Sequence, residues 1–113
     1  MHELALAREI IAIVEQAAEG HNANRVRVIR VALGAFGHVE DSSLRFALLA
    51  AANGTIAEGA GLEISRTTGR AWCQDCRNTV ILETRLSPCP RCGGVKLDVV
   101  AGDELRIVNM EIE

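Results

Sequence analysis

Apolar residues recur every three or four positions at the start of the chain. Leu4, Ala7, Ile10, Ile11, Val14, Ala17 and Ala18 fall on one face, which predicts an amphipathic helix. Glu3 stands where a first-turn carboxylate suits the helix dipole, and Gly20 is the expected stop. The segment 25–33, RVRVIRVAL, is dense in β-branched residues and reads as a strand. Its alternation slips at Ile29–Arg30, which suggests a bulge or burial on both faces. A loop over 34–40 carries Phe36 and His38. A second helix then runs through Leu44, Phe46, Ala47, Leu48 and Ala51, capped by Asp41 or Ser42 and ended by Asn53-Gly54. Leu62 and Ile64 share one face of a strand over 62–67, and a last strand over 105–112 is expected to pair with the first two.

Between these elements the pattern changes. The stretch from Ala71 to Leu97 holds all four cysteines, Cys73, Cys76, Cys89 and Cys92, with a short strand candidate over 79–83. It offers too few apolar residues for a core of its own, so a bound metal is expected to supply the folding energy; zinc binding of roughly 10–16 kcal/mol is adequate. The fold class expected is α+β: a small two-helix domain with a three-stranded sheet, plus an inserted zinc-ribbon (rubredoxin-like) module. Residues 1–70 together with 98–113 form the first unit and 71–97 the insert. Thr68-Gly69 and Ala101-Gly102 are hinge candidates, because glycine absorbs dihedral change cheaply.

The two Cys-x-x-Cys hooks are separated by twelve residues. A two-residue spacer lets both sulfurs of a tight turn reach one ion, and two facing hooks complete a tetrahedral S₄ shell. Pro88, Pro90, Gly93 and Gly94 give the second hook its turn chemistry. Disulfides would require an oxidising compartment, and Met1-His2-Glu3 has no basic stretch of the kind that opens a secretory segment. Zinc is preferred to iron, although tetrahedral S₄ alone does not separate them. A closed shell leaves no open position, so the site is expected to be structural.

Composition narrows the function classes. Three aromatics in 113 residues make the core aliphatic, and no run of about 18 apolar residues suits a membrane span. A net charge of −3, a single lysine (Lys96) and few aromatics argue against a nucleic-acid partner. There is no phosphate-cradling Gly-x-x-x-x-Gly-Lys-Ser/Thr and no nucleophile constellation, since every cysteine belongs to a hook. A cytoplasmic non-enzyme is the expectation.

The remaining chemistry lies at the N-terminus. His21, beside Gly20 and Asn22, reads as a solvated side chain. His2 differs: the Met1 amine, the His2 amide nitrogen and imidazole Nδ1 form fused chelate rings, with the Glu3 amide nitrogen an alternative member. Planar nitrogen donors suit Ni(II) or Cu(II).

Met1-His2-Glu3 before an amphipathic helix, then Gly34, Val39-Glu40, Leu44-Arg45-Phe46, Gly54-Thr55, Glu58-Gly59-Ala60-x-Leu62, the two hooks and the closing Val108-Asn-Met-Glu-Ile resemble the HypA/HybF family of hydrogenase-maturation nickel chaperones. The resemblance spans the chain. It implies a metallochaperone that carries Ni(II) at its N-terminus for [NiFe] hydrogenase maturation, with His2 indispensable and a structural Zn(II) on the four cysteines. The partners it implies are a HypB-type GTPase and the hydrogenase large subunit or its maturation complex; a homodimer is also compatible. Glu40 is placed near nickel by the same resemblance; its alternative role is a helix-start carboxylate. Some relatives carry a further histidine on the zinc module, which this chain lacks. The fourth nickel donor is therefore open, with His38 as a loop candidate. The competing readings are a zinc-ribbon interaction module of nucleic-acid machinery and a rubredoxin-like iron electron carrier.

Overall fold

A computed structural model describes residues 2–113 as α1 (His2–Gly20), β1 (Val26–Gly34), a 3-10 turn (Ala35–Gly37), α2 (Asp41–Ala52), β2 (Gly61–Thr67), β3 (Arg70–Cys73), β4 (Asn78–Ile81), β5 (Leu97–Ala101) and β6 (Leu105–Ile112). The strands form two three-stranded sheets, ordered β2-β1-β6 and β4-β3-β5. The mixed α+β class is as the pattern predicts; the closing strand joins the sheet of the first two but pairs with β1 alone, because β2 occupies the other edge of β1. The chain divides into two compact units. One comprises the chain up to Val31, Val39–Ile64 and Ile107–Glu113; the other comprises Ala32–His38 and Ser65–Arg106.

In the first unit α1 buries Ala7, Ile10, Ile11, Val14 and Ala18, all at the expected spacing, and packs against α2. Its end lies two residues beyond the expected stop. Asn22, at φ 54°, is the left-handed residue. Its N–H bonds Glu19 O and the Ala23 N–H bonds Ala18 O, the paired closure of a Schellman motif. Asparagine tolerates this region, so Gly20 remains helical. Arg25 and Glu113 exchange both backbone hydrogen bonds, which sets β6 antiparallel to β1. Arg30 on β1 bonds Glu63 Oε1 on β2 at 2.9 Å and Asn109 Oδ1 on β6 at 3.0 Å, and also reaches Glu111. One guanidinium thereby ties three strands. The slip in alternation at Ile29–Arg30 corresponds to burial on both faces from Val31 to Gly34.

The second unit has a small core of its own, contrary to expectation: Phe36, Ala71, Cys73, Val80, Leu82 and Cys89, with Leu97 and Val99 packed against it. Phe36 comes from the turn after β1, outside the cysteine segment, which is why the segment alone looked coreless. The glycines expected to act as hinges are instead tightly packed around this ring. A Cβ on Gly69 would sit 2.4 Å from Phe36 Cζ, and one on Gly102, at φ +113°, would sit 2.7 Å from Gly69 Cα. A Cβ on Gly34 would sit 1.9 Å from Gly102 O. Close approach of three backbone segments dictates glycine here.

Candidate metal centre

The first hook joins β3 to β4, and the second lies in the loop between β4 and β5. Cys73 closes β3, in register with Asn78 and Leu97. Each hook is followed by a left-handed residue whose N–H returns to the carbonyl of the first cysteine: Arg77, φ 53°, to Cys73 O at 2.8 Å, and Gly93, φ 75°, to Cys89 O at 2.8 Å. Asn78 Nδ2 donates to Cys76 O at 2.8 Å. The reversal points backbone N–H groups at sulfur. Arg91 N–H donates to Cys89 Sγ at 3.4 Å and Gly94 N–H to Cys92 Sγ at 3.4 Å. A Cβ on Gly94 would meet Asp75 Oδ2 at 2.5 Å, the end of a side chain that can swing aside.

The four sulfurs all lie within 4.8 Å of one another. Cys73 Sγ is 3.6 Å from Cys92 Sγ, and Cys76 Sγ is 3.8 Å from Cys89 Sγ. A tetrahedron with Zn–S bonds near 2.3 Å has an edge of about 3.8 Å, so the residues present fit a four-thiolate ion. A disulfide, near 2.05 Å, does not fit these separations. The electrostatics agree. Burial pushes the Cys89 thiol up, but the N–H groups of Cys92 and Arg91 outweigh it and bring the thiol to about 7. At Cys92 the Gly94 N–H lowers the value, yet Cys73, burial and the other thiols push it up to about 12. Burial, then Cys73, raises Cys76. Four sulfurs in this volume cannot all ionise unless a cation compensates them.

At the other candidate site, His2 opens α1, so its amide and that of Glu3 are among the N–H groups that no helical carbonyl can reach. The His2 side chain is 63% exposed and its Nε2 lies 3.3 Å from Glu3 Oε2, while the Glu3 side chain is only 12% exposed. Engagement at Nε2 leaves Nδ1, the atom a backbone chelate requires, pointing elsewhere on the ring. Glu3 also lines a cavity of about 570 Å³ with Leu4, Ser42, Ser43, Phe46 and Ala50. The Met1 amine lies outside the described residues.

Glu40 is the N-cap of α2, one residue ahead of Asp41 and two ahead of Ser42, the expected caps. Its carboxylate accepts from Ser42 N–H at 3.2 Å, Ser43 N–H at 2.7 Å and Ser42 Oγ. Those bonds, led by the Ser42 hydroxyl, lower its pKa to about 2. His38, at φ 53°, is an exposed left-handed residue after the 3-10 turn, in the unit that holds the cysteines. The structure thus brings together the four cysteines, and separately His2 with Glu3. Among the described residues the cysteine quartet is the only group of three or more His, Cys, Asp or Glu ligand atoms close enough to hold one ion. The pattern gave no warning that Phe46 and Leu49 face outward, at 76% and 66% exposure. The available signal was that α2 carries no charge after Arg45, and so is apolar on all sides.

Comparison with known proteins is consistent with this arrangement. The family model described as "Hydrogenase/urease nickel incorporation, metallochaperone, hypA" matches residues 1–112. A protein of Methylocella silvestris named hydrogenase maturation factor HypA is 47% identical over 113 residues, covering all of both chains. A Rhodopseudomonas palustris protein of the same name is 46% identical over the same span, again covering all of both. The solution structure of the Ni metallochaperone HypA from Helicobacter pylori superposes with a TM-score of 0.71 at 21% identity, covering 99% of this chain and 97% of that one. A second HypA solution structure gives a TM-score of 0.73, covering 100% of this chain and 97% of that one. These two likenesses establish the fold.

Proposed function

The chain belongs to the HypA family, and on that premise we propose that it binds Ni(II) at its N-terminus and delivers it during maturation of [NiFe] hydrogenase. The observation that carries this reading is His2 at the start of α1, its Nε2 engaged by Glu3 and its backbone nitrogen free of helical pairing. The Met1 amine, the His2 amide nitrogen and the imidazole Nδ1 supply three donors, with the Glu3 amide nitrogen an alternative member of the set. The helix dipole assists, because positive potential at the N-terminus favours a deprotonated amide.

A carrier must release its cargo, and donors at a chain end can be exchanged one at a time. Copper binds such nitrogens more tightly than nickel, so selectivity comes from partners and metal availability rather than intrinsic affinity. Glu40, in the same unit as His2, is the candidate for a fourth donor and would have to exchange its Ser42 and Ser43 bonds for the ion. The partners are a HypB-type GTPase, which supplies the nucleotide hydrolysis for which this chain has no motif, and the hydrogenase large subunit or its maturation complex. The setting is the cytoplasm; among the described residues no helix is long and apolar enough to cross a membrane.

The cysteine quartet would hold Zn(II), whose role is to fix the β3–β5 unit. Thiolates fully occupied by the ion leave no place for substrate, so this unit performs no catalysis. Equilibrium dialysis tests the nickel reading. Protein starting at Met1 is expected to bind Ni(II) more tightly, and with a different d–d spectrum, than protein extended by one residue ahead of Met1. Identical affinity and spectrum would remove the terminal amine from the ligand set.

A further inference from the structure

We propose that the outward face of α2 and the cavity beside it form a docking groove for a basic amphipathic helix of the protein that receives the nickel. From Ser42 to Ala52, α2 carries one charge, and that residue, Arg45, donates to Leu62 O. Phe46 is 76% and Leu49 66% exposed, and Ala50 follows Phe46 by one turn. A helix that is apolar on all sides is ordinarily buried, so an uncovered stripe of this kind marks a surface built for a partner. The cavity of about 570 Å³ continues from Phe46 and Ala50 to Leu4 and Glu3, next to His2. Ligand exchange requires the acceptor within bonding distance of His2, which places this groove inside the acceptor's footprint. In this respect the proposal rests on the nickel-delivery reading.

Charge selects the occupant. The unit that contains α1 and α2 holds ten acidic residues against five arginines and no lysine. Glu3 lines the groove, and Glu40 stands at the head of α2, ionised through its Ser42 and Ser43 bonds. A second copy would bring the same acid-rich surface, so charge disfavours it as the occupant. A helix presenting apolar side chains at i, i+3 and i+4, flanked by lysine or arginine, matches both the stripe and its rim.

The test uses the full chain without nickel and two synthetic helical peptides with the same Leu/Ala face, one flanked by Lys and Arg, the other by Glu. In amide NMR titrations the basic peptide should shift Leu4, Ser43, Phe46 and Ala50. It should bind at least about ten-fold more tightly than the acidic one, and Phe46→Ser or Leu49→Ser should weaken it by about ten-fold. Both residues are exposed, so the variants should fold, and Ni(II) binding by either should match the parent. No shift with the basic peptide, equal binding of the two peptides, or shifts confined to the β3–β5 unit would overturn the proposal. So would a dimer of the parent chain that Phe46→Ser dissociates, because the groove would then belong to a second copy. Peptide binding is read on metal-free protein, so a negative result leaves His2 as a nickel ligand untouched. Loss of Ni(II) binding in His2→Ala leaves the groove untouched.

Discussion

The imidazole Nε2 of His2 faces the Glu3 carboxylate at 3.3 Å, and the carboxylate side chain is far more buried than the ring it contacts. A fixed acceptor on one ring nitrogen sets the tautomer and orientation of the other, as carboxylates behind metal-bound histidines generally do. Glu3→Ala should therefore weaken Ni(II) binding by about ten-fold while leaving the helical spectrum unchanged. Isothermal titration with Ni(II) measures it. Glu3→Gln should fall between the two, since it keeps an acceptor oxygen but loses the charge.

Glu40 caps α2 through Ser42 and Ser43. Its folded pKa is depressed from 4.5 to about 2, so its contribution to stability is complete above 4.5 and is lost as pH falls toward about 2. Glu40→Ala should melt below the parent at pH 7, and the gap should close across that acid window. Glu40→Asp should retain most of the cap. Thermal unfolding followed by far-UV circular dichroism at several pH values reads the difference.

The packing around Phe36 makes a graded prediction for three glycines. Gly69→Ala meets the Phe36 ring at 2.4 Å and the Leu82 carbonyl at 2.8 Å and should cost about 1–3 kcal/mol, of which Phe36→Leu in the same chain relieves only the ring's share. Gly34→Ala meets backbone at Gly102 and should cost more, because no rotamer change removes the clash. Gly20→Ala, with nothing within 4 Å, should stabilise α1 by about 0.8–1.0 kcal/mol. Urea unfolding of the four variants orders them.

Cys73 and Cys89 are both metal-ligand candidates and buried core residues beside Phe36. Cys73→Ser should lose one equivalent of zinc and the dispersed amide resonances of Ala71, Val80 and Leu82, while the signals of α1 and α2 persist. Metal analysis and NMR on the same sample check both. A chelator strong enough to strip the parent should reproduce the variant's spectrum.

Features with local causes were legible in the chain. The α1 face follows from spacing alone, and the S₄ cluster follows from two hooks whose spacers and turn residues act within a few positions. Features that depend on distant partners were not. Phe36 joins the cysteine unit only because Gly69 and Gly102, far along the chain, leave room for its ring. Glu40 was legible as a helix-start carboxylate but not as the cap itself, because glutamate is an uncommon N-cap and here works through two consecutive serines. Phe46 sat at core-like spacing in a helix with almost no polar residues to mark its outer side, so the pattern could not distinguish inward from outward.

The central claim is that His2 carries nickel. The most direct measurement is Ni(II) titration, with metal analysis, of untagged parent and His2→Ala. The account predicts about one Ni(II) per parent chain, none above background in the variant, and equal zinc in both. Nickel retained by His2→Ala with unchanged affinity and spectrum would contradict it.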